Sequence, residues 1–150
     1  MRQNPMLELP HVYSASGTLK GDNNITIEST GLPPIVTAAP AEFGGPGDLW
    51  SPEALLIAAV ADCFLLTFRA ISRASKFDWL ELKCSAEGTL DKVDRLTRFT
   101  AVTINASLSV DGTADETKAR RLLEKAEASC LISNSLLADR HLEINVVVIT

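Results

Sequence analysis

The chain has 150 residues, of which 46% are hydrophobic and 22% charged, so it is long enough to bury a core of its own. Its formal net charge of −5 argues against binding to nucleic acid or to an anionic membrane, because both attract basic surfaces. The first residues, MRQNPMLELPHVYS, contain no apolar run of signal-peptide length, which predicts a cytoplasmic protein.

The first third of the chain predicts three short strands and a loop. Residues 11–20 and 23–29 flank a turn-prone Gly-Asp pair, which is typical of a hairpin. Residues 35–39 predict a third strand after two prolines. Residues 40–50, PAEFGGPGDLW, are rich in glycine and proline and predict a loop.

The central segment, from Ser51 to about Ser75, predicts a long helix. Ser51 is expected to cap its first amides, and Pro52 is tolerated in the first turn. Nearly every residue from 54 to 68 is apolar, with no polar face, which predicts a helix buried on all sides. This apolar run is shorter than the ~20 residues of a membrane span and contains Asp62, so a buried core helix is the favoured interpretation.

The second half of the chain predicts a hairpin followed by a helix. Alternating apolar residues indicate a strand beginning at Phe77 and a longer one over residues 99–110, joined by a charged connection at 90–98. Thr113 is expected to cap the second helix, with Glu116 completing a capping box.

A short helical piece beginning around Cys130 and a last strand over residues 142–148 are predicted to complete the chain. Strands arranged in hairpins with helices between them favour an α+β fold with a largely antiparallel sheet. The length favours one domain over residues 1–150.

The three cysteines, Cys63, Cys84 and Cys130, are odd in number and widely spaced, which argues against a structural disulfide framework. Cys84 lies on the apolar face of a strand and is expected to be a small core residue. Cys63 is favoured as a core residue too, unless a cation or a hydrogen-bond donor from another segment or chain stabilises its thiolate. For Cys130, a packed position at a helix junction and a functional thiol at a helix N-terminus are both open.

Metal and phosphate sites have little support in the sequence. His11 and His141 are isolated, and neither has metal-ligand spacing with a cysteine or an aspartate. The glycine-rich loop lacks the Lys and Ser/Thr of a phosphate-binding loop. The sequence pattern therefore favours neither a metal site nor a phosphate-binding loop.

The segments around two of the cysteines resemble the OsmC and organic hydroperoxide resistance family. The central helix carries that family's Pro-Glu pair as Pro52-Glu53 and its Cys-Phe pair in AVADCF at Cys63. The second cysteine motif is matched by a set of residues in the second helix and beyond it: Lys125, Ala126, Cys130, Ser133 and Leu136. The segments TLDKV and ITIES also resemble family segments, so the similarity covers nearly the whole chain after about Tyr13.

This resemblance implies a largely antiparallel six-stranded sheet wrapped around a long buried central helix, in an intertwined homodimer. It also implies a thiol peroxidase that needs no metal or bound cofactor and reduces organic hydroperoxides, with hydrogen peroxide as a further candidate substrate. By the same analogy Cys63 is the peroxidatic thiol and Cys130 the resolving thiol. An external dithiol, with a lipoyl protein among the candidates, regenerates both, and Glu53 orients the cation that stabilises the thiolate.

The spacing of Glu53 and Cys63 bears on the dimer. The two residues are ten positions apart on one helix, so they lie ~15 Å apart along its axis and cannot share a site within one chain. Two such helices running antiparallel across a two-fold axis bring Glu53 of one subunit beside Cys63 of the other. The sequence therefore predicts an obligate homodimer with two sites at its interface.

The chain departs from the family pattern at two places, in the first hairpin turn and at the residue before Cys63. Family members carry an arginine in the first hairpin turn, whereas the turn here reads TLKGDNN. Lys20 is the candidate replacement cation, although a solvated turn lysine is an equal alternative, and it lacks the planar fork of arginine. Asp62, beside the thiol, is expected to raise the pKa of Cys63.

An apolar substrate pocket is expected near the central helix, with Phe43 and Trp50 from the glycine-rich loop and Phe64 as its lining. Trp50 as a buried anchor is the alternative. The departures leave a second function open, in which the fold is a non-catalytic dimeric protein that binds a small apolar ligand in the interface cleft.

Overall fold

The computed structural model describes residues 6–150, which belong to two compact units, Met1–Ala54 and Leu55–Thr150. The first unit contains a three-stranded antiparallel sheet in the order β1-β2-β3. Its strands are β1 (Ser16–Thr18), β2 (Ile25–Glu28) and β3 (Ile35–Thr37). The predicted hairpin is confirmed, but its first strand is three residues long because residues 11–15 are exposed and unpaired.

The predicted loop at 40–50 contains a short 3-10 helix, Ala41–Phe43, and otherwise irregular backbone. Gly45 is required here, because a Cβ at this position would lie 1.6 Å from the carbonyl oxygen of Ala39. Trp50, at the end of the loop, forms an isolated bridge with Thr37 of β3 and is 52% exposed. Trp50 is therefore not a buried anchor in the single chain.

The predicted central helix is α1, Pro52–Ala74, and it begins where its capping residue places it. The Ser51 hydroxyl accepts a hydrogen bond from the Ala54 amide at 3.1 Å. At the other end, the Trp79 indole donates to the Ser72 hydroxyl at 2.9 Å, and its ring packs edge-on against Phe68 at 5.4 Å. Both contacts anchor the C-terminal half of α1 to the start of the next sheet.

The prediction that α1 is buried on all sides is wrong for the single chain. One stripe, at every fourth position, is buried: Val60, Phe64, Phe68 and Ser72. The opposite side remains half-buried or exposed, and Leu66 keeps 48% of its surface. The prediction that this segment is too short for a membrane span is also wrong, because α1 is long and apolar enough to cross a membrane by length and composition alone, and 22% of its most apolar window is buried.

The second sheet has the order β4-β5-β6, with β4 (Glu81–Val93), β5 (Leu96–Asp111) and β6 (Asp139–Ile149). The six described strands thus form two three-stranded sheets, and the predicted single six-stranded sheet is not observed. The β4-β5 pair is antiparallel and turns at Asp94 and Arg95, whose positive φ angles of 49° and 69° suit a tight hairpin.

Strand β6 pairs parallel to β5. Between the two strands, two helices carry the chain back to the end of the sheet where β5 begins, as a parallel pair requires. The longer one, α2, spans Glu116–Ser129, and the short α3 spans Leu131–Asn134. The residue that caps α2 is Asp115, which accepts a hydrogen bond from the Lys118 amide at 3.1 Å. The predicted cap, Thr113, instead donates its hydroxyl to Asp111 at 2.6 Å.

The core of the Leu55–Thr150 unit lies between this sheet and the two long helices. This core joins the buried stripe of α1 to alternate residues of β5 and to one face of α2. The residues from β5 are Val102, Ile104, Ala106, Leu108 and Val110, and those from α2 are Ala119, Leu122, Leu123 and Ala126. Cys84 packs half-buried against it, which agrees with its predicted role as a core residue. Burial raises the pKa of the Cys84 thiol, so this cysteine is held in its unreactive form.

Candidate active site

Cys63 lies on α1 directly beside the buried stripe, with its side chain half-buried. Because residues four apart on a helix share a face, the next turn places Thr67 next to it. The Thr67 hydroxyl oxygen is 3.8 Å from the Cys63 sulfur. The helix thus presents a thiol and a hydroxyl together on one side.

The second element of the site is the corner between α2 and α3, where Cys130 is the single residue joining the two helices. Cys130 is fully buried. Its amide donates to the Glu127 carbonyl at 3.2 Å, and its own carbonyl accepts from the Asn134 amide at 2.9 Å. The chain therefore turns sharply at Cys130, and the first amides of α3 are free to bond outside the helix.

The corner brings three further groups near the Cys63 sulfur. The backbone amides of Leu131 and Ile132 and the thiol of Cys130 are close enough to lower the pKa of Cys63. The two cysteines that the sequence singled out therefore lie close together. No disulfide joins them, since both are free thiols.

These contacts set the acidity of the two thiols in opposite directions. Burial alone raises the pKa of Cys63, but the Ile132 amide, the Cys130 thiol, the Thr67 hydroxyl and the Leu131 amide together hold the pKa below its ordinary value. For Cys130, burial raises the pKa and contact with Cys63 raises it further. Cys63 is thus the more acidic partner, and the thiolate is the nucleophilic form of cysteine.

A cavity of about 560 Å³ opens beside Cys63. Its wall is mainly apolar and is formed by Ala59, Leu66, Ala70, Ile71, Leu131 and Ile132. Asp62, Lys125 and Ser129 add polar groups to the lining. A thiolate at the wall of a mostly apolar cavity is an arrangement suited to a small substrate with an apolar body.

Comparison with known proteins decides the family. A family model described as OsmC-like protein matches residues 45–146. The chain belongs to the OsmC-like protein family. Similar solved structures include an OsmC-like protein of unknown function from Vibrio cholerae, with a TM-score of 0.82 and 22% identity over 90% of this chain and 99% of that one.

Two further relatives of this OsmC-like chain agree with that assignment. The structure of an organic hydroperoxide resistance protein OsmC from Legionella pneumophila matches with a TM-score of 0.74 and 25% identity, over 93% of this chain and 99% of that one. The uncharacterized protein YmaD of Bacillus subtilis (strain 168) is 28% identical over 138 residues, which cover 89% of this chain and 91% of YmaD.

Four predicted site residues of the OsmC-like chain lie in the other compact unit, Met1–Ala54. Lys20 is an exposed residue of the turn between β1 and β2, and Glu53 is half-buried in the first turn of α1. Phe43 and Trp50 are 61% and 52% exposed. Their roles beside Cys63 stay predictions.

Two expectations about the neighbours of Cys63 need correction. Phe64, expected on the pocket wall, is fully buried in the core, because adjacent helix residues point about 100° apart. Asp62 is exposed and lines the cavity, and it is not among the groups that shift the pKa of Cys63, which is lowered rather than raised.

Sequence reasoning missed Thr67, Leu131 and Ile132 as partners of the Cys63 sulfur. The spacing of Thr67 from Cys63 was a usable signal, because side chains four apart on a helix meet. The sequence carries no such signal for the two amides, since the position of a backbone donor is set by the path of the chain and not by residue type. Within residues 6–150, no three His, Cys, Asp or Glu side chains converge as metal ligands would.

Ser133 is a further residue of the corner whose role the sequence left undefined. Its hydroxyl is buried and has no hydrogen-bond partner within residues 6–150. Its amide and hydroxyl lie near Cys130, where both lower the pKa of that thiol and so oppose the effect of burial. Ser133 is therefore placed to support Cys130 when that thiol loses its proton.

Proposed function

We propose that the protein is a thiol-dependent peroxidase that reduces organic hydroperoxides through Cys63 and Cys130. The observation that carries the proposal is the proximity of these two thiols, each of which shifts the pKa of the other, beside an apolar cavity that Cys63 lines. A lowered pKa at Cys63 supports its role as the attacking thiolate, and a raised pKa at Cys130 supports its role as the second thiol to react.

In the first step the Cys63 thiolate attacks the terminal oxygen of the hydroperoxide. An S–O bond forms and the O–O bond breaks, so that sulfur is oxidised to a sulfenic acid and the leaving alkoxide takes a proton to become the alcohol. The amides of Leu131 and Ile132 hold the thiolate until it attacks. No metal or bound cofactor takes part in this proposal.

In the second step the Cys130 sulfur attacks the Cys63 sulfenic acid. A disulfide forms, and the hydroxyl group leaves as water with the proton of the Cys130 thiol. An external dithiol then reduces the disulfide by two thiol exchanges and is itself oxidised to a disulfide. A lipoyl protein is one candidate reductant, because its dithiol is small enough to enter a cleft.

The cavity supports a preference for substrates with an apolar body. Six of its wall residues are apolar, and burial of apolar substrate surface against them stabilises the bound state. Hydrogen peroxide reacts by the same steps but gains nothing from the apolar wall, so we expect it to be the weaker substrate. The printed name of the Legionella relative, an organic hydroperoxide resistance protein, supports the same class.

We further propose that the working form is a cytoplasmic, intertwined homodimer of single-domain subunits, each spanning residues 1–150. The exposed apolar side of α1 supports this, since a helix of this composition is usually covered. Glu53 and Lys20 of one subunit are then proposed to reach Cys63 of the other. Phe43 and Trp50 are proposed to complete the pocket from their exposed positions.

The test is peroxide consumption with a dithiol reductant, dihydrolipoamide included, for the wild type, Cys63→Ser and Cys84→Ser. We expect cumene hydroperoxide turnover by the wild type and Cys84→Ser, and none above background by Cys63→Ser. Equal rates for the wild type and Cys63→Ser would remove Cys63 from the mechanism. Absent turnover with binding of an apolar probe in the cavity would instead favour the non-catalytic binding protein.

A further inference from the structure

Arg140, near the start of β6, bonds to both helices that flank Cys130. Its Nε donates to Glu127 Oε1 at 2.6 Å, and its Nη1 donates to Asn134 Oδ1 at 2.6 Å. Its Nη2 donates to the backbone carbonyl of Glu127. One guanidinium therefore joins the last turn of α2 to the end of α3.

These partners lie on either side of Cys130 in the chain. Glu127 is three residues before it, and Asn134 is four residues after it. The Glu127 carbonyl that accepts from Arg140 also accepts from the Cys130 amide, and the Asn134 amide donates to the Cys130 carbonyl. The side chain of Arg140 thus shares the Glu127 carbonyl with the Cys130 amide and holds the side chain of Asn134, whose amide bonds the Cys130 carbonyl.

The geometry suits arginine rather than lysine. The planar guanidinium presents several donors at fixed angles, so that a single side chain fixes three acceptors relative to one another. The Arg140 and Glu127 side chains are 28% and 18% exposed, so water screens this pair only in part. By contrast the Lys83–Glu81 pair on β4 is 77% and 61% exposed and 3.6 Å apart, which leaves it little structural effect.

The sheet and the helix do not depend on Arg140 for their own formation. Strand β6 pairs with β5 through eleven consecutive residues, and α2 is held by four buried apolar side chains. The corner between α2 and α3 has less to hold it, because α3 is a single turn of four residues. Removing the guanidinium should therefore loosen the corner and leave the rest of the unit folded.

We infer that Arg140 is a positioning residue for the thiol pair, which acts by fixing the corner that carries Cys130 and the amides of Leu131 and Ile132 against the Cys63 sulfur. The inference rests on the proposed function for its consequence in catalysis, although the fixing of the corner does not. A loosened corner weakens the donors to the Cys63 thiolate. It also delays attack by Cys130 on the sulfenic acid.

Slower attack by Cys130 on the sulfenic acid changes the products of the reaction. A Cys63 sulfenic acid that does not meet Cys130 in time reacts with a second hydroperoxide molecule, gains an oxygen atom as a sulfinic acid and releases a second alcohol. Disulfide and sulfinic acid are thus competing products of the same intermediate. Their ratio reports how well the corner places Cys130.

The experiment compares Arg140→Met, Arg140→Lys and Lys83→Met, the last as a control that removes the exposed ion pair. The pH dependence of Cys63 alkylation, resolved by peptide mass spectrometry, measures the thiolate without any peroxide. Excess cumene hydroperoxide then gives the ratio of disulfide to sulfinic acid. Circular dichroism and thermal unfolding check the fold.

For Arg140→Met we expect alkylation of Cys63 to require a higher pH and the disulfide-to-sulfinic ratio to fall by up to about a hundredfold, the loss that a misplacement of ~1 Å at reacting groups can cause. Arg140→Lys should recover part of both, because it keeps the charge opposite Glu127 but not the fork. Lys83→Met should match the wild type. A folded Arg140→Met with the wild-type alkylation profile and product ratio would overturn the inference.

Asn134→Ala and Glu127→Gln keep the test decisive if Arg140→Met does not fold, since each weakens one contact of the guanidinium. Both should shift alkylation and product ratio in the same direction by smaller amounts, and wild-type values in both would overturn the inference. If the wild type forms no disulfide with hydroperoxide, the proposed function fails. The alkylation profiles alone then decide whether Arg140 positions the corner.

Discussion

At Cys63, four neighbouring groups that carry no formal charge favour the thiolate: two backbone amides, the Thr67 hydroxyl and the Cys130 thiol. The arginine that relatives were expected to use at this point is absent from the hairpin turn of this chain. Hydrogen bonds to a thiolate lower its pKa just as a nearby cation does, although each contributes less than a full charge. These hydrogen-bonding groups therefore lower the pKa of Cys63 although the hairpin turn has no arginine.

A pair of Cys130 variants tests this account of the thiolate. Because the thiolate alone reacts with iodoacetamide, the rate at Cys63 should level off at a lower pH than the rate at the half-buried Cys84, whose pKa is raised. Cys130→Ala removes one donor and should move the Cys63 profile to higher pH. Cys130→Ser keeps an O–H donor and should move it less. A wild-type Cys63 profile in both variants would show that Cys130 does not support the thiolate.

Residue type and helical spacing allowed some of this site to be predicted and not the rest. Cys63 and Cys130 could be proposed from the sequence because the segments around them resemble two cysteine motifs of the family. Phe64 was misassigned because it follows Cys63 in the chain yet points into the core. The amides of Leu131 and Ile132 were invisible, since a one-residue corner between helices leaves no pattern in side-chain type.

At the scale of the elements, α1 was predicted closely because Ser51 and Pro52 mark its start and a continuous apolar run follows. The cap of α2 was misplaced, since Asp111, Thr113 and Asp115 are all capping types and only the geometry selects Asp115. The parallel pairing of β6 was not foreseen, because its alternation of apolar residues is the same for either direction.

The close approach of α1 to β4 gives a prediction about packing. A Cβ at Gly88 would lie 2.4 Å from Ile57 Cδ1 and 2.9 Å from the Phe99 ring, so Gly88→Ala should force both side chains to move. We expect a loss of about 1–3 kcal/mol in the free energy of unfolding, as for other overpacked cores.

Gly112→Ala is the matched control, because a Cβ there meets nothing within 4 Å. Its free energy of unfolding in urea should stay within about 0.5 kcal/mol of the wild type, or rise slightly as the unfolded chain loses freedom. Equal stability of the two alanine variants would mean that α1 does not lie this close to β4.

At the scale of the whole molecule, the side of α1 opposite its buried stripe remains to be covered. Leu66 keeps 48% of its surface although it lies on the most apolar helix of the chain. A second copy of the chain is the proposed cover, and the same proposal places Glu53 of that copy near Cys63. The mass of the particle in solution tests this directly.

Light scattering at micromolar concentration should give twice the mass of one chain for the wild type. Leu66→Glu places a carboxylate on the apolar side of α1 and should shift the population toward monomer, because burying an unpaired charge is costly. Leu96→Glu, at a leucine in the β4-β5 hairpin that is 63% exposed, should leave the dimer intact. A monomeric wild type would contradict the proposed dimer.

The most direct test of the central claim is a single turnover followed by mass spectrometry. The reduced protein is mixed with one equivalent of cumene hydroperoxide, the remaining thiols are alkylated, and the peptides are mapped. We predict a Cys63–Cys130 linked peptide, a loss of two hydrogens from the chain, and alkylation at Cys84 alone. Full alkylation of Cys63 and Cys130, with the hydroperoxide unconsumed, would contradict the account.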